Sequence, residues 1–135
     1  MEKTNALEPN VEWGDYTRLE PGTYQAYCNL AKWYQDPGFK RWTCILKFDV
    51  MAANLTDSLG TIPIWFNGGD NDVPHAGRRS RYFAAWVSAK GGPPARKDRL
   101  SPSVFIRRMA LVLVGDTKGI NPYSVVREIL NWHTG

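Results

Sequence analysis

The stretch Trp42-Thr43-Cys44-Ile45-Leu46-Lys47-Phe48-Asp49-Val50 decides how the chain reads. Trp42, Cys44, Leu46, Phe48 and Val50 alternate with Arg41, Thr43, Ile45, Lys47 and Asp49. Successive side chains leave a strand on opposite faces, so period two marks a half-buried β-strand. One face is apolar and belongs to a core. The other carries two bases, one acid, Thr and Ile.

On the N-terminal side, Asp36-Pro37-Gly38 is a strong turn. Before it, Thr23 to Trp33 alternates again: Tyr24, Ala26, Cys28 and Leu30 on one face, Gln25, Tyr27, Asn29 and Ala31 on the other. Pro21-Gly22 is the turn that opens this first strand. Residues 1–20 keep no period and read as a loose arm, with Trp13 and Tyr16 able to anchor part of it. Residues 21–135 read as a single domain.

On the C-terminal side, the polar stretch Asn54 to Gly60 leads to a third strand, Thr61 to Asn67. Ile62, Ile64 and Phe66 point one way and Trp65 the other. Pro63 cannot donate to a ladder, which points to an edge strand or a bulge. Ser80 is a natural N-cap, Tyr82, Phe83, Trp86 and Val87 form an apolar stripe, and Gly91 suits a C′ position. They predict a helix over Arg81–Lys90 whose aromatic face is core. Ser101-Pro102 opens a brief helical turn reaching Ile106. Ala110 to Gly115 is a buried strand, and Gly115 to Pro122 a turn. Tyr123 to Leu130 is a fifth strand, although Val125, Val126, Ile129 and Leu130 also fit a short helix.

The chain has 135 residues, 43% of them hydrophobic and 22% charged, which fits one folded domain and excludes wholesale disorder. No apolar run reaches the ~18 residues of a membrane helix, and Met1-Glu2-Lys3-Thr4-Asn5 lacks the build of a signal peptide. A cytoplasmic, soluble protein with no membrane association is expected. Cys28 and Cys44 fall on core faces and read as small buried hydrophobes. His75 and His133 have no cysteine pair near them, so no zinc site and no cofactor are expected. Gly115-Asp116-Thr117-Lys118-Gly119 matches a phosphate loop only superficially, and no GxSxG elbow occurs. Asp36, Asp49, Asp70 and Asp72 show no spacing that asks for a metal-dependent nuclease. The chain does not read as an enzyme.

Charge is unevenly placed. Residues 1–77 hold 6 Lys/Arg and 10 Asp/Glu, net −4; residues 78–135 hold 11 and 3, net +8. Between Arg78 and Arg108 lie 9 bases and Asp98 alone. A concentrated basic stretch is a candidate footprint for a polyanion.

The order strand, strand, strand, helix, strand, strand predicts a mainly β fold. The expected form is a small five-stranded OB-like barrel, with one helix between strands 3 and 4 plugging one end and a short helical turn before strand 4. An open five-stranded antiparallel sheet with one helix across it is the alternative.

Pro21-Gly22-Thr23-Tyr24-Gln25-Ala26 resembles the opening strand of OB-fold single-stranded-DNA-binding proteins of phages and mobile genetic elements. The second-strand stretch Trp42 to Val50 is similar too. So are Tyr82-Phe83-Ala84-Ala85-Trp86, Ser101-Pro102-Ser103-Val104-Phe105 and Leu111-Val112-Leu113-Val114. The resemblance spans about residues 21–130 and implies a role in DNA replication or recombination. The chain ends Asn131-Trp132-His133-Thr134-Gly135, without the acidic tail of housekeeping bacterial relatives.

Sequence-tolerant binding of single strands needs cations for phosphates and rings on which bases stack. The first loop interleaves Trp33, Tyr34 and Phe39 with Lys40 and Arg41. Outward strand positions add Lys47 and Trp65. The segments around the helix add Arg78, Arg79 and Arg81, then Arg96, Lys97 and Arg99, then Arg107. These are the candidate contacts to single-stranded DNA. An RNA-binding module of the same fold stays open as an alternative. So does a protein-interaction module, homo-oligomeric assembly included, with the same rings as anchors. Glu2, Glu8, Glu12, Asp15 and Glu20 make the arm acidic. An arm that competes with nucleic acid predicts tighter binding once residues 1–20 are deleted, and unchanged affinity contradicts it.

Overall fold

The computed structural model describes residues 18–38, 40–95 and 99–133. Five strands form one antiparallel sheet: β1 (Gly22–Gln35), β2 (Trp42–Met51), β3 (Ser58–Asn67), β4 (Arg108–Asp116) and β5 (Ser124–Trp132). A helix, α1 (Arg81–Lys90), and a single 3-10 turn at Pro102–Val104 lie between β3 and β4 in the chain. The sheet order is β3-β2-β1-β4-β5, so the long β1 is central and β3 and β5 are the edges. Pro63 thus lies in an edge strand.

The second-strand alternation holds through the whole of β2. Cys44, Leu46, Phe48 and Val50 are fully buried, while Thr43, Ile45, Lys47 and Asp49 are half-buried on the other face. In β1 the alternation holds only as far as Cys28. The register against β2 runs Cys28↔Phe48, then Leu30↔Lys47, so Asn29 is an extra, bulged residue. A bulge exchanges the faces of everything beyond it. Leu30, Lys32 and Tyr34 therefore join the outer face, and Ala31 and Trp33 turn inward, the reverse of the expected pattern after residue 29.

The helix begins and ends where its capping residues place it. Ser80 Oγ accepts from Phe83 N–H at 3.1 Å, and Gly91 is left-handed at φ 88°. Tyr82 and Trp86 are buried, and Tyr82 is the hub of an aromatic cluster with Trp33, Phe66 and Phe105 at ring separations of 4.8, 5.7 and 5.8 Å. Its hydroxyl donates to the Leu100 carbonyl, and the Trp86 indole donates to the Ser101 carbonyl at 3.0 Å. These bonds tie α1 to the 3-10 turn. β5 is a strand rather than a helix: Val125 and Val126 are β-branched, and β4 supplies a ladder for them.

The closed barrel expected from the element order is not what forms. No ladder joins β3 to β5, and the sheet is open along that seam. Two features of β5 work against closure. It is kinked by two register shifts against β4, and the Arg127 carbonyl is already taken by the Arg81 guanidinium at 3.2 Å. Rather than plugging one end of a barrel, α1 packs against β3, β5 and the 3-10 turn, alongside the seam.

Of the stretch read as an arm, Arg18 and Leu19 are attached. Leu19 N–H donates to Ser124 Oγ at 2.8 Å, and Arg18 meets Asp116 and the Pro122 carbonyl. No helix among the described residues is long and apolar enough to cross a membrane.

Candidate functional site

The bulge at Asn29 builds one surface. Beyond it, the registers of β1, β2 and β3 line up three outward rows: Tyr34–Thr43–Asn67, Lys32–Ile45–Trp65 and Leu30–Lys47–Pro63. Lys32 is exposed, Lys47 and Trp65 are half-buried, and Pro63 at the far end of the third row is buried. Tyr34 is 38% exposed at one margin. Cations and rings thus share one face across three adjacent strands.

Two connections border this face. The β1–β2 turn is held by Asp36 N–H to the Arg41 carbonyl at 2.8 Å and Lys40 N–H to the Asp36 carbonyl at 2.7 Å. Asp36 Oδ1 accepts from Gly38 N–H at 2.8 Å, the side-chain turn that Asp-Pro-Gly favours. Lys40 and Arg41 are exposed on it. The β4–β5 connection is closed by Thr117 N–H to the Tyr123 carbonyl at 2.8 Å and Tyr123 N–H to Thr117 Oγ1 at 3.0 Å. That closure places Tyr123 edge-on to Trp65, ring centres 6.4 Å apart at 88°.

Arg78 and Arg79 are exposed in the turn entering α1. The segment before them is tied to the start of β2: Trp42 N–H donates to the Gly69 carbonyl, Gly68 N–H to the Trp42 carbonyl, and the Trp42 indole to the Asn71 carbonyl. Arg81 is exposed, 5.7 Å over the Phe66 ring, with its guanidinium fixed on the Arg127 carbonyl. The basic residues around the entry to α1 and those of the β1–β2 turn therefore share one end of the sheet.

Other candidates lie elsewhere. Trp33 packs inward, 4.8 Å from Tyr82 and against Gly68, so its ring is a core wall rather than a stacking platform. The bulge is the reason. Arg99 is exposed beyond α1. Arg107 is exposed with φ 65°, its N–H donating to the Cys28 carbonyl; it precedes β4 and lies outside the three rows. Its neighbour Arg108 donates to the carbonyls of Ala89, Val104 and His133 and lies 5.5 Å over Trp132, a structural clamp. Phe39, Arg96 and Lys97 lie outside the described residues.

Sequence reasoning missed Lys32, Tyr123 and Arg127. Lys32 was hidden by the parity change at Asn29. Tyr123 reads in sequence as the first residue of the fifth strand, whereas the structure places it in the β4–β5 connection. Arg127 is an isolated base whose stem lies over Gly115, with a Cβ there only 2.8 Å from Arg127 Cγ. None of these carries a local signal that spacing alone exposes.

Burial pushes the Cys28 and Cys44 thiols up to about 12, so both remain protonated at neutral pH. Burial likewise raises the Tyr82 hydroxyl. Among the described residues, no group of three or more His, Cys, Asp or Glu side chains gathers to hold a metal ion. No protein-family model matches the chain, and no curated protein matches it.

Proposed function

We propose that the protein binds single-stranded DNA without reading its sequence, through the outer face of β1, β2 and β3. The row Lys32–Ile45–Trp65, flanked by Tyr34 and Lys47, carries this reading. It puts a ring for base stacking and ammonium groups for phosphates on one continuous surface. Stacking gives ~1–3 kcal/mol per base and accepts any base, because every base has a π-face. The absence of bidentate polar groups in the row suits binding that is indifferent to sequence.

The architecture supports the same reading. The sheet order places β1 between the β2–β3 and β4–β5 pairs, as in a partly open OB-like barrel. In that fold the β2–β3 face and the loops joining strands 1–2 and 4–5 take oligonucleotides. Here the corresponding loops bring Lys40 and Arg41 on one side and Tyr123 on the other. A role in replication or recombination of a mobile element follows from the resemblance in the strands.

Fluorescence anisotropy with a labelled ~30-nucleotide oligo(dT) tests the proposal. That length spans two or more of the ~4–16-nucleotide sites an OB fold occupies. Binding should weaken with salt, and an equal length of duplex should compete poorly. Trp65→Ala should weaken binding about tenfold, within the range of one lost stack. An affinity that Trp65→Ala leaves unchanged, or equal affinity for duplex, contradicts the proposal.

A further inference from the structure

The open seam has a chemistry of its own. A cleft of about 740 Å³ runs between β3 and β5 beside α1. Its wall includes Trp65 from β3, Arg81 and Ala84 from α1, and Arg127, Glu128 and Trp132 from β5. Cα atoms of β3 and β5 approach within 8 Å of each other. A third strand inserted between two others holds them ~9.6 Å apart, twice the usual ~4.8 Å spacing. At that approach the seam is too narrow for an added peptide strand and suits a compact group instead.

Four features define that group. Arg81 offers a guanidinium group to an anion and is already held in place by the Arg127 carbonyl and the Phe66 ring. Trp65 gives the wall an aromatic surface that continues onto the outer face of the sheet. Trp132 is 5% exposed, and its indole N–H is buried with no acceptor among the described residues. A buried donor without an acceptor is costly and uncommon, and a ligand oxygen would satisfy it. Glu128 opposes a ligand made of anion alone and accepts from a ring N–H or an exocyclic amine.

We infer that the cleft is a nucleotide subsite. One unstacked base of the bound strand enters it against Trp65, with a base carbonyl accepting from the Trp132 indole and the adjoining phosphate on Arg81. The inference rests on the proposed strand binding, except that a free nucleotide carries the same chemistry.

Two measurements on the full chain test it. The first follows the Trp132 indole resonance, assigned by its loss in Trp132→Phe, as oligo(dT) and, separately, thymidine monophosphate are added. The resonance should move. Movement with the oligonucleotide alone means that the strand delivers the base; movement with the monophosphate means that the cleft also takes a free nucleotide. The second is Ala84→Phe, which fills the cleft from the exposed side of α1 and leaves the outer face untouched. It should weaken oligo(dT) binding about tenfold, the size of one lost stacking contact. A static Trp132 resonance at saturation, or an Ala84→Phe protein that binds as tightly as the parent, overturns the subsite while strand binding stands. Movement with the monophosphate and no affinity for oligo(dT) at low salt overturns strand binding and leaves the subsite.

Discussion

At the scale of single residues, close approach and burial make the sharpest demands. A Cβ at Gly68 would lie 2.3 Å from the Trp33 ring, and that ring is wedged against Tyr82. Gly68→Ala should therefore destabilise the fold by ~1–3 kcal/mol, the usual cost of overpacking, as read from urea unfolding. A change under ~0.5 kcal/mol, the scatter of neutral surface changes, would mean that Trp33 is free to move. Cys28 and Cys44 ionise from about 9 when unfolded and only near 12 in the fold. Below pH 9 neither thiol affects stability. As pH rises from 9 toward 12 the unfolded chain loses protons first, so unfolding free energy falls. Both thiols should also resist iodoacetamide at pH 8 until denaturant is added, and rapid alkylation of the native protein would refute their burial. Their core placement was legible in the sequence, since Cys28 and Cys44 share faces with Ala26, Leu46 and Phe48. The inward turn of Trp33 was not legible, because one extra residue at Asn29 is invisible to a period count.

At the scale of elements, helix α1 was fully legible: Ser80, the aromatic stripe and Gly91 each act locally. Ser80→Ala should cost ~1 kcal/mol of stability by freeing the Phe83 N–H. The strands were legible wherever alternation is unbroken, as in β2. In β1 a non-local register decides the faces. Deleting Asn29 tests this: Cys28↔Phe48 and Leu30↔Lys47 then become consecutive pairs, the ladder is regular, and Lys32 and Tyr34 stay outward with Trp33 inward. The deletion should still unfold cooperatively, as should Asn29→Ala, which keeps the extra residue. A deletion that abolishes cooperative unfolding would contradict the assignment of Asn29 as the extra residue. β5 was ambiguous in sequence because Val125, Val126, Ile129 and Leu130 satisfy both periods, and pairing with β4 resolved it.

At the scale of the whole molecule, five strands and one helix could be counted along the chain, but closure could not. Whether β3 and β5 join depends on the kinks of β5 and on the Arg81 contact with Arg127, and neither leaves a mark in residue spacing. The basic surplus of residues 78–135 was plain in the sequence, yet only part of it reaches the candidate face. Arg78 and Arg79 are exposed in the turn entering α1, while Arg81 is fixed on the Arg127 carbonyl and Arg108 is spent on carbonyls. The salt dependence of binding should follow that division. Lys32→Ala and Arg78→Ala should each lower the log–log salt slope by ~0.7, the value for one phosphate contact on a single strand. Arg107→Ala should leave it unchanged, and a slope that responds only to Arg107 would place the strand elsewhere. The most direct measurement is a two-dimensional amide NMR titration of the full chain with a short oligo(dT). Shifts should cluster on Lys32, Tyr34, Ile45, Lys47 and Trp65 and on the β1–β2 and β4–β5 connections. Shifts that spare the row Lys32–Ile45–Trp65 would contradict the proposed interface.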